Sequence, residues 1–156
     1  MLRPPRLTDA PVIAAHLNNY DICKWLTMVP FPYGLSDAES FVQQDMGAHL
    51  VWADDQFVGV ISTKGSLGYW LTESAWDQGY ATEAGRAKLA DHFRCNDNQM
   101  INSSYFVGNA ASCNVLTKLG FIDVGKGIHF SKSRQAEVAV RNMELTRARW
   151  EASQHA

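Results

Sequence analysis

The chain has 156 residues, 46% of them hydrophobic, and its 14 Lys and Arg against 16 Asp and Glu leave a net charge of −2. One domain of that length buries roughly 70% of its surface without a covalent staple, and the composition excludes a disordered chain. The slightly acidic balance argues against a constitutive nucleic-acid binder but leaves room for a local phosphate pocket.

No apolar run approaches the ~20 residues of a membrane span. The opening Met1-Leu2-Arg3-Pro4-Pro5-Arg6 has no apolar stretch of the kind a secretory leader needs. Cys23, Cys95 and Cys113 are scattered, without CxxC spacing, and read as reduced thiols of a cytoplasmic protein. The five histidines lack ligand spacing, so no metal is expected. With no repeat and no linker, residues 1–150 read as one domain and 151–156 as a short tail.

In chain order, Leu2 to Leu7 predicts a short strand, confined to an edge by its two prolines. Thr8-Asp9 start a helix whose apolar side is Val12, Ile13, Ala15 and Leu17, closed by Asn18-Asn19. The segment Trp25 to Gly34 carries Trp25, Phe31 and Tyr33 among prolines, and reads either as a loop packed on the core or as a substrate-facing wall. Ser36 with Glu39 fits a capping box, opening a helix to about Met46.

His49 to Ala53 and Phe57 to Ser62 predict a hairpin, and Leu67 to Leu71 a further strand. Thr82 to Phe93 reads as a helix, Met100 to Val107 as a strand, and Ala110 to Leu119 as a helix between Asn109 and Gly120. Phe121 to Phe130 and Val138 to Leu145 give two last strands. The order implies an α+β fold with a mostly antiparallel sheet, parallel where strand and helix alternate.

Two segments carry chemistry. From Gly68 to Ala84 a strand runs through a short loop into a helix start. Free N–H groups at a helix N-terminus suit an anion, and Gly79 gives the loop backbone freedom. An ordinary strand-to-helix turn explains the same residues, and the pattern is neither GxGxxG nor a P-loop. From Asn109 to Phe121, Asn109 and Gly120 are explained by capping alone. Ser112 points along the inward face of Val115 and Leu116, either satisfied by backbone or kept for a ligand.

Together the two segments resemble the GNAT family of acyl-CoA-dependent N-acyltransferases, and within it the branch of the ribosomal-protein-alanine N-acetyltransferases. The matching runs are Gly68-Tyr69-Trp70-Leu71 with Trp76-Asp77-Gln78-Gly79-Tyr80-Ala81-Thr82-Glu83-Ala84, and Asn109 through Phe121. The resemblance implies one domain, with a central sheet of about six or seven strands, helices on both faces, and strands that splay at the cofactor site. It implies acetyl-CoA as cosubstrate. Trp70, Leu71 and Thr72 would bond the pantetheine arm, and Gln78, Gly79, Tyr80, Ala81 and Thr82 would hold the pyrophosphate. Asn109 and Ser112 would also lie on the cofactor. Lys118 either meets the 3′-phosphoadenosine or is a solvated surface lysine.

The implied reaction is direct attack of a primary amine, on a protein N-terminus or a small molecule, upon the thioester. Ser112 is the candidate donor to the departing sulfur and Glu73 the candidate base. Glu83, His49, His129, Tyr105 or water are alternatives for the base. Trp25, Phe31 and Tyr33 would line the acceptor side. A homodimer through the final strands has no residue-level support, and neither nucleic acid nor membrane is expected as a partner. A non-catalytic acyl-CoA-binding sensor of the same fold would keep the same cofactor residues.

Overall fold

The computed structural model describes residues 1–44 and 47–155. Its elements are β1 (Leu2–Arg3), a 3-10 turn (Leu7–Asp9), α1 (Ala10–Leu17), α2 (Tyr20–Cys23), α3 (Leu35–Gln43), β2 (Ala48–Ala53), β3 (Gln56–Ser62) and β4 (Gly68–Leu71). A second 3-10 turn (Glu73–Ala75) leads into α4 (Tyr80–Cys95), followed by β5 (Met100–Phe106), α5 (Ala110–Leu119), β6 (Ile122–Ser131), β7 (Ala136–Thr146) and α6 (Arg147–Gln154).

The strands form two antiparallel sheets, ordered β1-β2-β3-β4 and β5-β7-β6. Side chains alternate across the first sheet. Leu50, Phe57, Val60 and Trp70 pack with α1, α2 and α3, while Val51, Val58 and Ile61 pack with α4 and α5. The second core continues under the other sheet through Ile101, Met143 and Leu145, closed by Trp150 of α6. Each fully buried Leu or Ile of these layers contributes roughly 1.5–3 kcal/mol.

Among the described residues the two sheets are bridged only at the foot of β4 and β5. Ser66 and Asn102 form an isolated parallel bridge, Leu67 N–H donates to Asn102 O at 2.9 Å, and Ser103 Oγ donates to Leu67 O at 2.8 Å. Among the described residues no bridge joins the two strands beyond that point. The expected parallel pairing is thus reduced to one bridge, and the strands splay above it.

Several boundaries differ from the sequence reading, each for a local reason. Pro4 and Pro5 end β1 after Arg3, and Arg3 then forks onto Asp9 with two 2.8 Å bonds. α3 is capped at Gly34, whose N–H donates to Asp37 at 2.9 Å, so Asp37 and not Glu39 supplies the capping carboxylate. α3 ends at Gln43, and the expected end near Met46 lies outside the described residues. α2 and the turn at Glu73–Ala75 are too short to leave a periodic signal. The expected tail after Trp150 continues α6, whose start is capped by Thr146 Oγ1 accepting from Arg149 N–H at 3.1 Å. Among the described residues no helix is long and apolar enough to cross a membrane, and no group of His, Cys, Asp or Glu could hold a metal ion.

Candidate active site

Strand alternation sets what β4 offers to the gap. Thr72 N–H donates to Val58 O of β3 at 2.8 Å. The N–H and C=O of Leu71, one residue earlier, therefore point the other way, toward the splay. The Leu71 carbonyl accepts from Trp76 Nε1 at 3.2 Å, and no described residue takes its N–H. A free backbone donor thus sits on an edge that the splay has left unpaired.

α4 starts beside that edge. Asp77 and Gly79 both take left-handed backbone, with φ of 61° and 82°. This tight entry aims the helix start into the gap. Glu83 N–H bonds Gly79 O at 3.1 Å, so the N–H groups of Tyr80, Ala81 and Thr82 have no intrahelical acceptor. A Cβ on Gly79 would meet nothing within 4 Å, so the glycine is there for its φ and not for space. Across the gap, Asn109 Oδ1 caps α5 by accepting from Ser112 N–H at 3.2 Å, which fixes Ser112 in the first turn.

These groups open into one cavity of about 710 Å³. Of the expected site residues, Trp70, Leu71, Gly79, Tyr80, Ala81, Thr82, Asn109, Ser112 and Trp25 line it, and so does Lys118. Thr72 is buried behind the wall with its N–H committed to β3, and Gln78 turns away to donate to Ser74 O at 2.7 Å. Phe31 packs edge-on against Tyr20 with ring centroids 5.4 Å apart, and Tyr33 belongs to the core. Burial pushes the Tyr33 phenol up to about 12. Neither lines the cavity, so the aromatic segment is a wall at Trp25 and packing at its far end.

The candidate base Glu73 is placed outside the cavity, accepting from Asn19 Nδ2 at 3.2 Å. His49, His129 and Glu83 also lie outside the lining, and Asp77 is the one carboxylate among the lining residues. His49 Nδ1 instead accepts from Lys88 Nζ at 2.9 Å, in a partly buried patch against α4. Tyr105 does line the cavity. Contact of its hydroxyl with Cys113 first, then burial, raises its phenol.

Tyr69 is a site residue that the sequence reading passed over. It shares the α4-facing side of β4 with Leu71, and its hydroxyl lies 3.5 Å from Ser112 Oγ. Burial raises the phenol above its ordinary value, so it remains a donor at working pH. A phenol that donates to Ser112 Oγ leaves the serine's own proton free to face the cavity. The period-two alternation that pairs Tyr69 with Leu71 was the available signal.

The family described as acetyltransferase (GNAT) domain matches residues 1–122. The chain belongs to the GNAT acetyltransferase family. No curated protein matches it in sequence. Among solved structures it is similar to Mycobacterium smegmatis RimJ in complex with CoA-disulfide, with 20% identity over 94% of this chain and 81% of the other, TM-score 0.81. It is similar to spermidine N-acetyltransferase from Vibrio cholerae in complex with CoA and spermine, with 17% identity over 97% of both chains, TM-score 0.76. The ribosomal-protein-alanine N-acetyltransferase from Brucella melitensis superposes with TM-score 0.72 at 15% identity, over 94% of this chain and 99% of the other. At these identities the neighbours speak for the fold, which is the splayed GNAT architecture expected from the two segments.

Proposed function

We propose that this GNAT domain binds acetyl-CoA in the splay and transfers its acetyl group to a primary amine by direct attack. The observation that carries the reading is the convergence, in one cavity, of the free Leu71 N–H, the α4 N-terminus and the Ser112 hydroxyl. The residues fit the cosubstrate. Three unpaired N–H groups and a helix dipole face where a pyrophosphate would lie, and an open strand edge suits the amides of a pantetheine arm.

The cosubstrate supplies a reactive thioester. Leu71 N–H would face the carbonyl oxygen on which charge develops, and a fixed backbone donor favours that charge. Ser112, oriented by Tyr69 and by its cap on Asn109, donates toward the departing sulfur. With no histidine among the lining residues, the amine loses its proton to water at the open mouth. Acceptors enter on the face walled by Trp25, and the acceptor class is a protein N-terminus or a small amine.

Calorimetry with acetyl-CoA, followed by thiol release against a panel of amines and N-terminal peptides, tests this. Binding with turnover is the expected result. Binding without turnover on any acceptor would favour a sensor of the same fold, a reading to which the position of Glu73 outside the cavity lends support. Absence of binding would remove the assignment of the cavity.

A further inference from the structure

A charged group that the proposed reaction does not use packs against the wall of the acceptor face, outside the cavity lining itself. Arg134, in the turn between β6 and β7, places its guanidinium carbon 5.2 Å from the ring centroid of Trp25 and 5.4 Å from that of Phe106. Trp25 and Phe106 line the cavity, whereas Arg134 is not itself among the lining residues and meets the cavity wall through these two rings. The turn itself is tied to the loop after α2. Arg134 Nε donates to Lys24 O at 2.8 Å, Ser133 Oγ donates to Cys23 O at 2.8 Å, and Lys132 N–H donates to Thr27 O at 3.0 Å.

Backbone bonds and ring contacts therefore hold the arginine in place, yet most of its donors stay uncommitted. Among the described residues no carboxylate pairs with Arg134, and none accepts from its Nη nitrogens. The neighbouring cation, Lys24, lies 5.5 Å from the Trp25 centroid and is already paired with Asp21 at 3.2 Å. The lining residues on this face are Ile22, Trp25, Leu26, Thr27, Ser104 and Phe106, without an acid among them. Asp77, the one carboxylate of the lining, belongs to the turn into α4 on the cofactor side.

A guanidinium held over two aromatic rings, with no partner on its Nη nitrogens among the described residues, can hold a planar oxyanion by two parallel hydrogen bonds. The same charge repels a polycation approaching that mouth. We propose that Arg134 selects acceptors carrying an oxyanion, carboxylate or phosphate, on the same molecule as the reacting amine. The proposal rests on the amine-acceptor reading above and narrows it.

The test measures acceptor binding by calorimetry in the CoA-saturated protein, so that it does not depend on turnover. The probes are the amidated peptides Ala-Asp-Ala, Ala-Asn-Ala and Ala-Lys-Ala, with phosphoethanolamine against ethanolamine. The peptide set reads carboxylate and the second pair reads phosphate. The expected result is about ten-fold or more tighter binding of an anionic member than of its neutral partner, the scale of one charge-assisted hydrogen bond. Arg134→Gln should bring the two within about three-fold while acetyl-CoA affinity holds and Tm falls by no more than the roughly 2–4 °C of one lost hydrogen bond to Lys24 O, and Arg134→Lys should keep part of the preference.

Equal binding of anionic, neutral and cationic members, or no binding of any, would overturn the proposal. So would an Arg134→Gln variant that weakens all members alike and melts early, since that is the behaviour of a loop pin. Selective binding with no thiol release would instead count against the transfer reaction and leave the role of Arg134 standing.

Discussion

Gly59→Ala tests how the site is positioned. Gly59 stands opposite Leu71 in the β3–β4 ladder, next to a register shift in β2–β3. A Cβ on Gly59 would lie 2.1 Å from Trp70 O and 3.0 Å from Leu71 Cα. Trp70 O is backbone and cannot rotate away, so β4 must retreat. Ordinary contact begins at 3.4 Å, which sets the retreat at about 1.3 Å. Forcing atoms into a filled site costs roughly 1–3 kcal/mol, more where the obstacle is backbone. The smaller entropy of the unfolded alanine chain returns about 0.4–1 kcal/mol of that. With a backbone obstacle the cost lies toward the upper end, a net of about 1–2.6 kcal/mol, and at this chain length each kcal/mol moves Tm by about 2–4 °C, so a fall of roughly 2–10 °C is expected. The Leu71 N–H moves with its strand, and a misplacement of about 1 Å at a reacting centre costs on the order of 100-fold in turnover. Calorimetric melting and thiol release read the two effects separately. Gly68→Ala is the control, because a Cβ there meets nothing within 4 Å. It should stay within about 0.5 kcal/mol of wild type. A Gly59→Ala variant that melts and turns over like wild type would refute the argument that the close β3–β4 approach places the Leu71 donor.

Gly79→Glu puts a carboxylate at the α4 N-terminus, in a residue with φ of 82°. Like charges a few Å apart near a surface repel by about 4 kcal/mol, so acetyl-CoA affinity should fall about 1000-fold, and a folded variant with unchanged affinity would remove the pyrophosphate assignment. Ser112→Ala should lower kcat about ten-fold with little change in KM for acetyl-CoA. Tyr69→Phe should lower kcat less, and should add nothing in the Ser112→Ala background, because it acts only through that hydroxyl. Additive losses in the double variant would separate the two residues. The folded-state pKa values of His49 and His92 are both depressed, by burial first and then by Lys88 or Arg147. The unfolded chain therefore binds more protons, and the stability contributed is present above about pH 6.5 and lost as pH falls through the folded values. Tm should drop between pH 7 and pH 5, and His49→Gln, which can still accept from Lys88, should flatten part of that drop. A pH-independent Tm over this window would contradict the depressed pKa values of the two histidines.

The order and type of the long elements were legible because their periods are strong. The β2–β3 hairpin, α4 and α5 were each recovered to within two residues. The capping of α5 by Asn109 and Gly120 was readable from residue type alone, and both caps are in place. What could not be read is what depends on a partner distant in sequence. Tyr33 looks like Trp25 in an aromatic loop, but its N–H is held by Asn18 and its ring enters the α1–α3 core, while Trp25 is held at the cavity by a turn more than 100 residues later. Glu73 follows the cofactor strand as a base would. One 3-10 turn then carries it outside the cavity to Asn19, a rotation that three residues cannot announce.

Fold and chemistry meet in the unpaired edge. A strand edge left open normally invites aggregation and is covered or paired. Here β4 is paired on one side only, because Leu67 and Ser103 pin the foot of β5 and the two strands part above it. The exposed edge is protected in part by Trp76, whose indole N–H donates to the Leu71 carbonyl and leaves the Leu71 N–H alone. That asymmetry has a consequence for binding. A ligand arm that lies along β4 can both accept from Leu71 N–H and, by displacing the indole, donate to Leu71 C=O, completing the ladder that β5 declines to form. Trp76→Phe removes the indole donor without removing the ring. If the indole merely caps the edge, the variant should bind the cosubstrate as well as wild type or more tightly. If the indole instead orders the turn into α4, affinity should fall together with Tm, and the free edge would then be a by-product of that turn and not its purpose.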